Sequence, residues 1–85
     1  MSRNDIVEKL KEILIETCEL SIPKSEIELK DGFAEEYGIN SIVALEFLIQ
    51  VERTFNIEID DDDLDESLLQ NEEKLVGYID NKMHE

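Results

Sequence analysis

The chain has 85 residues, 23 of them acidic and 8 basic, for a formal net charge of −15. That length predicts one domain over residues 1–85 with a core burying about 60–65 % of the unfolded surface, and that charge repels nucleic acid and anionic membranes. No apolar run reaches the roughly 20 residues a membrane span needs, one cysteine excludes an internal disulfide, and no signal-peptide pattern opens the chain. The expectation is a cytoplasmic monomer.

Residues 4–18 carry Ile6, Val7, Leu10, Ile13, Leu14 and Thr17 at helical spacing, with Glu8, Lys9, Lys11, Glu12 and Glu16 opposite. Ser2 or Asn4 can cap this helix, and Asp5 suits the positive end of its dipole. Cys18 extends the apolar stripe and reads as core, since a thiol without a cationic or basic neighbour is mostly inert. Residues 19–40 are irregular. Pro23 disfavours helix at Ile22, and Asp31-Gly32 marks a turn. Ile27 and Leu29 alternate with charged residues like a short strand, yet no second strand is available to pair. They are expected to pin a loop to the core. Phe33 and Tyr37, four apart, predict a short helical turn.

Gly38 permits a turn, and Asn40 or Ser41 can cap the helix that follows, predicted from Ser41 to Thr54. This helix is apolar on more than one face, at 42, 43, 45, 47, 48, 49 and 51. Either it lies between other elements or it offers apolar surface to a partner. Phe55, Ile57 and Ile59 alternate with polar residues but again lack a partner strand. Asp60–Glu66 is acidic except for Leu64, and Leu64, Leu68 and Leu69 predict one short helix with its leucines inward. Asn71 caps a last helix whose stripe is Leu75, Val76, Ile79 and Met83. The predicted fold is an all-α four-helix bundle: three main helices, one short helix, and a long loop after the first.

Charge is segregated along this plan. Residues 31–73 hold fourteen acidic side chains and one basic, Arg53, and the flanks are nearly balanced. Such a field attracts basic protein surfaces and speeds encounter with them.

The inventory for catalysis is poor. The single histidine, His84, is the penultimate residue, Ser41 lacks the second glycine of a nucleophile elbow, and no Gly-rich phosphate cradle or Cys/His metal spacing is present. The chain is therefore not read as an enzyme and no catalytic residue is assigned. A calcium loop beginning at Asp61 would place Asp63, Asp65 and Glu72 at ligand positions, but Glu66 stands where the sharp turn wants glycine and no entering helix precedes it. No metal site is assigned.

One stretch resembles a known family. Glu35-Glu36-Tyr37-Gly38-Ile39-Asn40-Ser41-Ile42, then Ala44-Leu45-Glu46-Phe47, then Glu52-Arg53-Thr54-Phe55-Asn56-Ile57-Glu58-Ile59-Asp60, is similar to acyl carrier proteins. The resemblance spans nearly the whole chain and implies a four-helix bundle. Its serine, Ser41 here, would receive 4′-phosphopantetheine from coenzyme A through a separate magnesium-dependent phosphopantetheinyl transferase, and acyl groups would ride as thioesters on the arm. A phosphodiester at a helix N-terminus would meet free N–H groups and a favourable dipole.

The resemblance also implies partner-facing or pocket-mouth roles for Ile42, Leu45 and Ile49, with Glu46 and Glu52 offering charge, and Val43 and Arg53 are assigned to the same partner-contacting set. Asn40 stands where the family usually has Asp, Asp60 replaces a common proline, and Val43 and Arg53 occupy helix positions that are often acidic in fatty-acid-synthesis carriers. These departures argue against bulk fatty acid synthesis, and the run Gly38-Ile39-Asn40-Ser41-Ile42-Val43-Ala44-Leu45-Glu46 resembles discrete carriers of polyketide or mixed peptide–polyketide pathways. Such a carrier would act in trans with a loading ligase, synthase or transferase bearing a basic docking surface. Two alternatives stay open: an aminoacyl carrier of the D-alanyl or peptide-synthetase kind, and an unmodified acidic interaction or calcium-binding module.

Overall fold

A computed structural model describes residues 2–85. Four α-helices follow in order: α1 (Arg3–Cys18), α2 (Phe33–Glu36), α3 (Ser41–Phe55) and α4 (Glu72–Met83). Short 3₁₀ turns occupy Lys24–Glu26, Asp61–Asp63 and Glu66–Leu69, and the described residues contain no strand. The all-α bundle predicted from sequence is the fold observed.

Each long helix begins on a side-chain cap. Ser2 and Asp5 form a reciprocal capping box on α1, with Ser2 accepting from the Asp5 N–H at 3.2 Å. Asn71 Oδ1 accepts from the Lys74 N–H at 2.9 Å and opens α4. α1 and α3 end on left-handed residues, Glu19 at φ 52° and Asn56 at φ 54°, whose N–H groups bond back into the last turn.

The core is a continuous cluster in which Ile6, Leu10 and Leu14 of α1, Phe33 of α2, Phe47, Leu48 and Val51 of α3, and Leu75 and Ile79 of α4 are fully enclosed. α1 packs on both α3 and α4, and the Glu66–Leu69 turn closes against α2, α3 and α4. Ile27 and Leu29 are buried without forming a strand, so the long connection is pinned as its alternation suggested. Its backbone is also tied across the molecule: the Glu72 N–H donates to the Leu29 carbonyl at 2.7 Å and the Gly32 N–H to the Gln70 carbonyl at 3.1 Å. The Tyr37 hydroxyl accepts from the Glu28 N–H at 3.0 Å.

One local expectation shifts. The helical turn expected at Phe33 is α2, the bundle's short α-helix, whereas the leucine-bearing acidic segment expected in that role folds as two 3₁₀ turns with Leu64 between them. Asp65 explains the second. Its carboxylate accepts from the Ser67 N–H at 2.8 Å and from the Ser67 hydroxyl, a local turn that fixes the chain into a tight four-residue segment. Those bonds hold the Asp65 carboxyl below its ordinary range, Ser67 being the main cause. Cys18 is half-buried, and burial pushes its thiol up, away from the reactive thiolate.

Candidate functional site

The α3 N-terminus is built by two residues with different jobs. Asn40 is the cap: its Oδ1 accepts from the Val43 N–H at 2.9 Å, and its carbonyl accepts from the Ala44 N–H at 2.8 Å. Ser41 is the first residue of the helix proper and is exposed. The sequence left the cap open between these two, and the structure gives it to Asn40. Gly38 makes the approach possible. It turns the chain at φ 70°, a conformation that costs an L side chain about 1–2 kcal/mol, and the Ile39 N–H then donates to the Ala34 carbonyl at 2.7 Å. Buried Ile39 anchors the approach to the core beside the exposed serine.

The first turn of α3 carries no acidic residue, unlike those of α1 and α4. In a chain of net charge −15 this leaves the positive end of one dipole uncompensated beside Ser41. An exposed hydroxyl on a neutral, amide-rich helix start is a fitting attachment point for a phosphodiester.

Along the helix the ambiguity about its apolar faces resolves. Ala44, Phe47, Leu48, Val51 and Phe55 are buried. At 3.6 residues per turn, Ile42, Leu45, Glu46, Ile49 and Arg53 fall within an arc of about 100° on the opposite side. Ile42 is 72 % exposed and Leu45 43 %, the largest apolar exposures among the described residues. Glu46 and Arg53 are also exposed, while Ile49 is half-buried. The helix therefore has one face in the core and one offered to solvent.

Two residues expected to meet partners have internal work. Val43 is half-buried and packs against the core, so its apolar character serves the fold. Glu52 is half-buried, and its carboxylate accepts from the Ile59 N–H at 2.8 Å, fastening the segment after α3. Sequence reasoning missed this role because the bond joins residues seven apart across a helix end.

The acidic run is organised toward α4. The Tyr78 hydroxyl accepts from the Asp60 N–H at 3.2 Å and donates to Asp63 Oδ2 at 3.0 Å. Lys82 Nζ bonds Asp60 Oδ2 at 3.1 Å and lies 5.6 Å from the centre of the Tyr78 ring. Burial is the main cause that raises the Tyr78 phenol. Asp63 and Asp65 are thus engaged with Tyr78 and Ser67, and among the described residues no three His, Cys, Asp or Glu side chains converge on a possible ion. The run is drawn to α4 and into tight turns. No helix of the described residues is long and apolar enough to cross a membrane.

Comparison with known proteins shows the family. The family described as "Phosphopantetheine attachment site" matches residues 8–79. An acyl carrier protein of Guillardia theta is 31 % identical over 83 residues, which cover 98 % of each chain. One from Phytoplasma mali (strain AT) is 34 % identical over 74 residues, 87 % of this chain and 83 % of that protein. One from Nitratidesulfovibrio vulgaris (strain DP4) is 30 % identical over 77 residues, 91 % and 96 % of the two. This is a phosphopantetheine-bearing carrier domain. The chain belongs to the acyl carrier protein family, whose members carry substrates without catalysing their chemistry on a covalently attached 4′-phosphopantetheine.

Proposed function

We propose that Ser41 is the attachment residue and that this chain is a discrete carrier, a cytoplasmic monomer serving separate enzymes of a polyketide, lipid or mixed peptide pathway. The observation that carries the reading is the division between Asn40 and Ser41: the cap is filled by the asparagine, and the serine stands exposed at the helix start. When bound, the arm supplies a terminal thiol on which acyl groups are held as thioesters. The residues around it have three roles. Asn40 holds the backbone at the attachment point, the neutral first turn of α3 favours the phosphate, and Ile42 and Leu45 give an apolar landing next to it.

A phosphopantetheinyl transferase must dock there to modify the serine, and a loading ligase, synthase or transferase must return to the same face. The acidic segment steers basic surfaces toward it. Of the seven residues assigned to partner contact, Ile42, Leu45, Glu46 and Arg53 are exposed, and Val43, Ile49 and Glu52 form the half-buried border. The specialised pathway is inferred from Arg53 and Asn40. Val43 supports it less, because it packs inward.

Incubation with coenzyme A, Mg²⁺ and a broad-specificity transferase tests the assignment. The intact mass is expected to rise by one arm, and the Ser41→Ala chain to stay at its starting mass. No gain in the parent chain with a transferase active on a control carrier, or a gain in Ser41→Ala, overturns it.

A further inference from the structure

We propose that Arg53 is a selectivity residue of the α3 face: it admits enzymes that set a carboxylate against the C-terminal end of α3 and disfavours those whose docking surface is uniformly basic. The inference rests on the carrier reading above and names the chemistry of the partner that reading requires.

Arg53 is the single basic residue of segment 31–73, among fourteen acidic ones. It is exposed, in the last turn of α3. Lys11, Lys24, Lys30 and Lys82 each form an ion pair with a nearby carboxylate. Arg53, like Arg3, Lys9 and Lys74, forms no such pair among the described residues, and it alone of these four lies in the acidic segment, with Glu16, Glu19 and Glu46 lining the same surface groove. A guanidinium in an acidic neighbourhood keeps its forked donors for something outside the chain, and a carboxylate is the group that fork matches.

Its position makes the charge legible to whatever reaches Ser41. Arg53 ends the solvent stripe that begins at Ile42, and twelve residues of helix place it about 18 Å from Ser41. A partner laid along α3 meets Ile42 and Leu45 first, then Glu46, then half-buried Ile49, then Arg53. Complementarity asks it for an apolar patch, a lysine or arginine, and an aspartate or glutamate in that order. A surface of lysines and arginines alone would meet like charge at the far end, which lowers both encounter rate and affinity. A cation in a last helical turn also suits the helix dipole. That role changes melting and leaves partner choice alone, so the two are separable.

The test uses the arm-loaded chain and its Arg53→Gln and Arg53→Glu forms as substrates for a malonyl transacylase of fatty acid synthesis whose docking surface is lysine- and arginine-rich. At low salt kcat/KM is expected to rise in the order Arg, Gln, Glu, by about tenfold across the series. Lys9→Glu, an equal charge change at an exposed site of α1, should move it less than twofold. Replacing the transacylase base that faces residue 53 with glutamate should reverse the order. Equal kcat/KM for all three forms, an equal rise in Lys9→Glu, or no reversal overturns the inference. Circular dichroism confirms that each form is folded, and Arg53→Gln retains the test if Arg53→Glu does not fold. Arm loading at end point separates the two levels. A chain that gains no arm refutes the carrier reading, whereas a loaded chain indifferent to residue 53 refutes this inference alone.

Discussion

Asn40 and Ser41 are both good helix caps, and adjacent in sequence they cannot be told apart by preference alone. The backbone decides: extended geometry at Asn40, φ −89° and ψ −178°, aims its side chain at the Val43 N–H and leaves Ser41 one step inside the helix. Asn40→Ala is expected to lower stability by about 1 kcal/mol, through loss of the cap. Asn40→Asp keeps the acceptor and adds a charge to the dipole, so the chain without its arm should gain about 0.3–1 kcal/mol. With the arm on Ser41, as proposed, its phosphodiester would lie beside that carboxylate and the gain should shrink or vanish. Thermal melts of both forms, with and without the arm, decide this; an equal gain in both states would show that no anion sits near residue 40. At this scale the motif around Ser41 was legible from its resemblance. The inward use of Val43 and the hold of Glu52 on Ile59 were not, since each depends on where neighbouring segments come to rest.

At the scale of elements, the long helices were readable because their apolar residues recur every three or four positions and Ser2 and Asn71 are strong caps. The connections were harder. The alternation at Ile27–Leu29 and Phe55–Ile59 has the period of a strand, yet in so short a chain Ile27, Leu29 and Ile59 are buried singly from loops, Phe55 ends α3 and Ile57 is half-buried. The leucines after Asp63 have helical spacing, and the local turn at Asp65 tightens them to 3₁₀ geometry. Tyr78 is the counterpart on α4 that keeps the preceding acidic turn in place. Tyr78→Phe removes a donor and an acceptor at once, so a loss of about 1 kcal/mol is expected. Amide exchange should quicken at Asp60 and Ile59 more than within α1. If exchange there matches the parent chain, the turn is held by its own backbone and the phenol is incidental.

For the molecule as a whole, the concentration of acidic charge between residues 31 and 73 sets a standing repulsion that the nearly balanced flanks do not offset. Added salt should screen it and raise the melting temperature. Screening worth about 1 kcal/mol would move a domain of this size by roughly 4–8 °C. Melts in sodium chloride series, with magnesium compared at matched ionic strength, check this. A melting temperature indifferent to salt would mean that this repulsion does not limit the stability of the fold. Divalent ions should act by the same screening, in keeping with the absence of a converging acidic cluster among the described residues.

The stripe on α3 has one more property. Read from its serine end it runs apolar, acidic, apolar, basic; read from the other end the order is different. It has no two-fold character, so an enzyme that docks on it as proposed cannot engage it end for end and keep its complementarity. Docking on this stripe would fix direction as well as place, and each enzyme would meet the arm from the same side. A carrier this small, handed between several active sites, would then present its cargo in one orientation each time, like a key cut along a single edge.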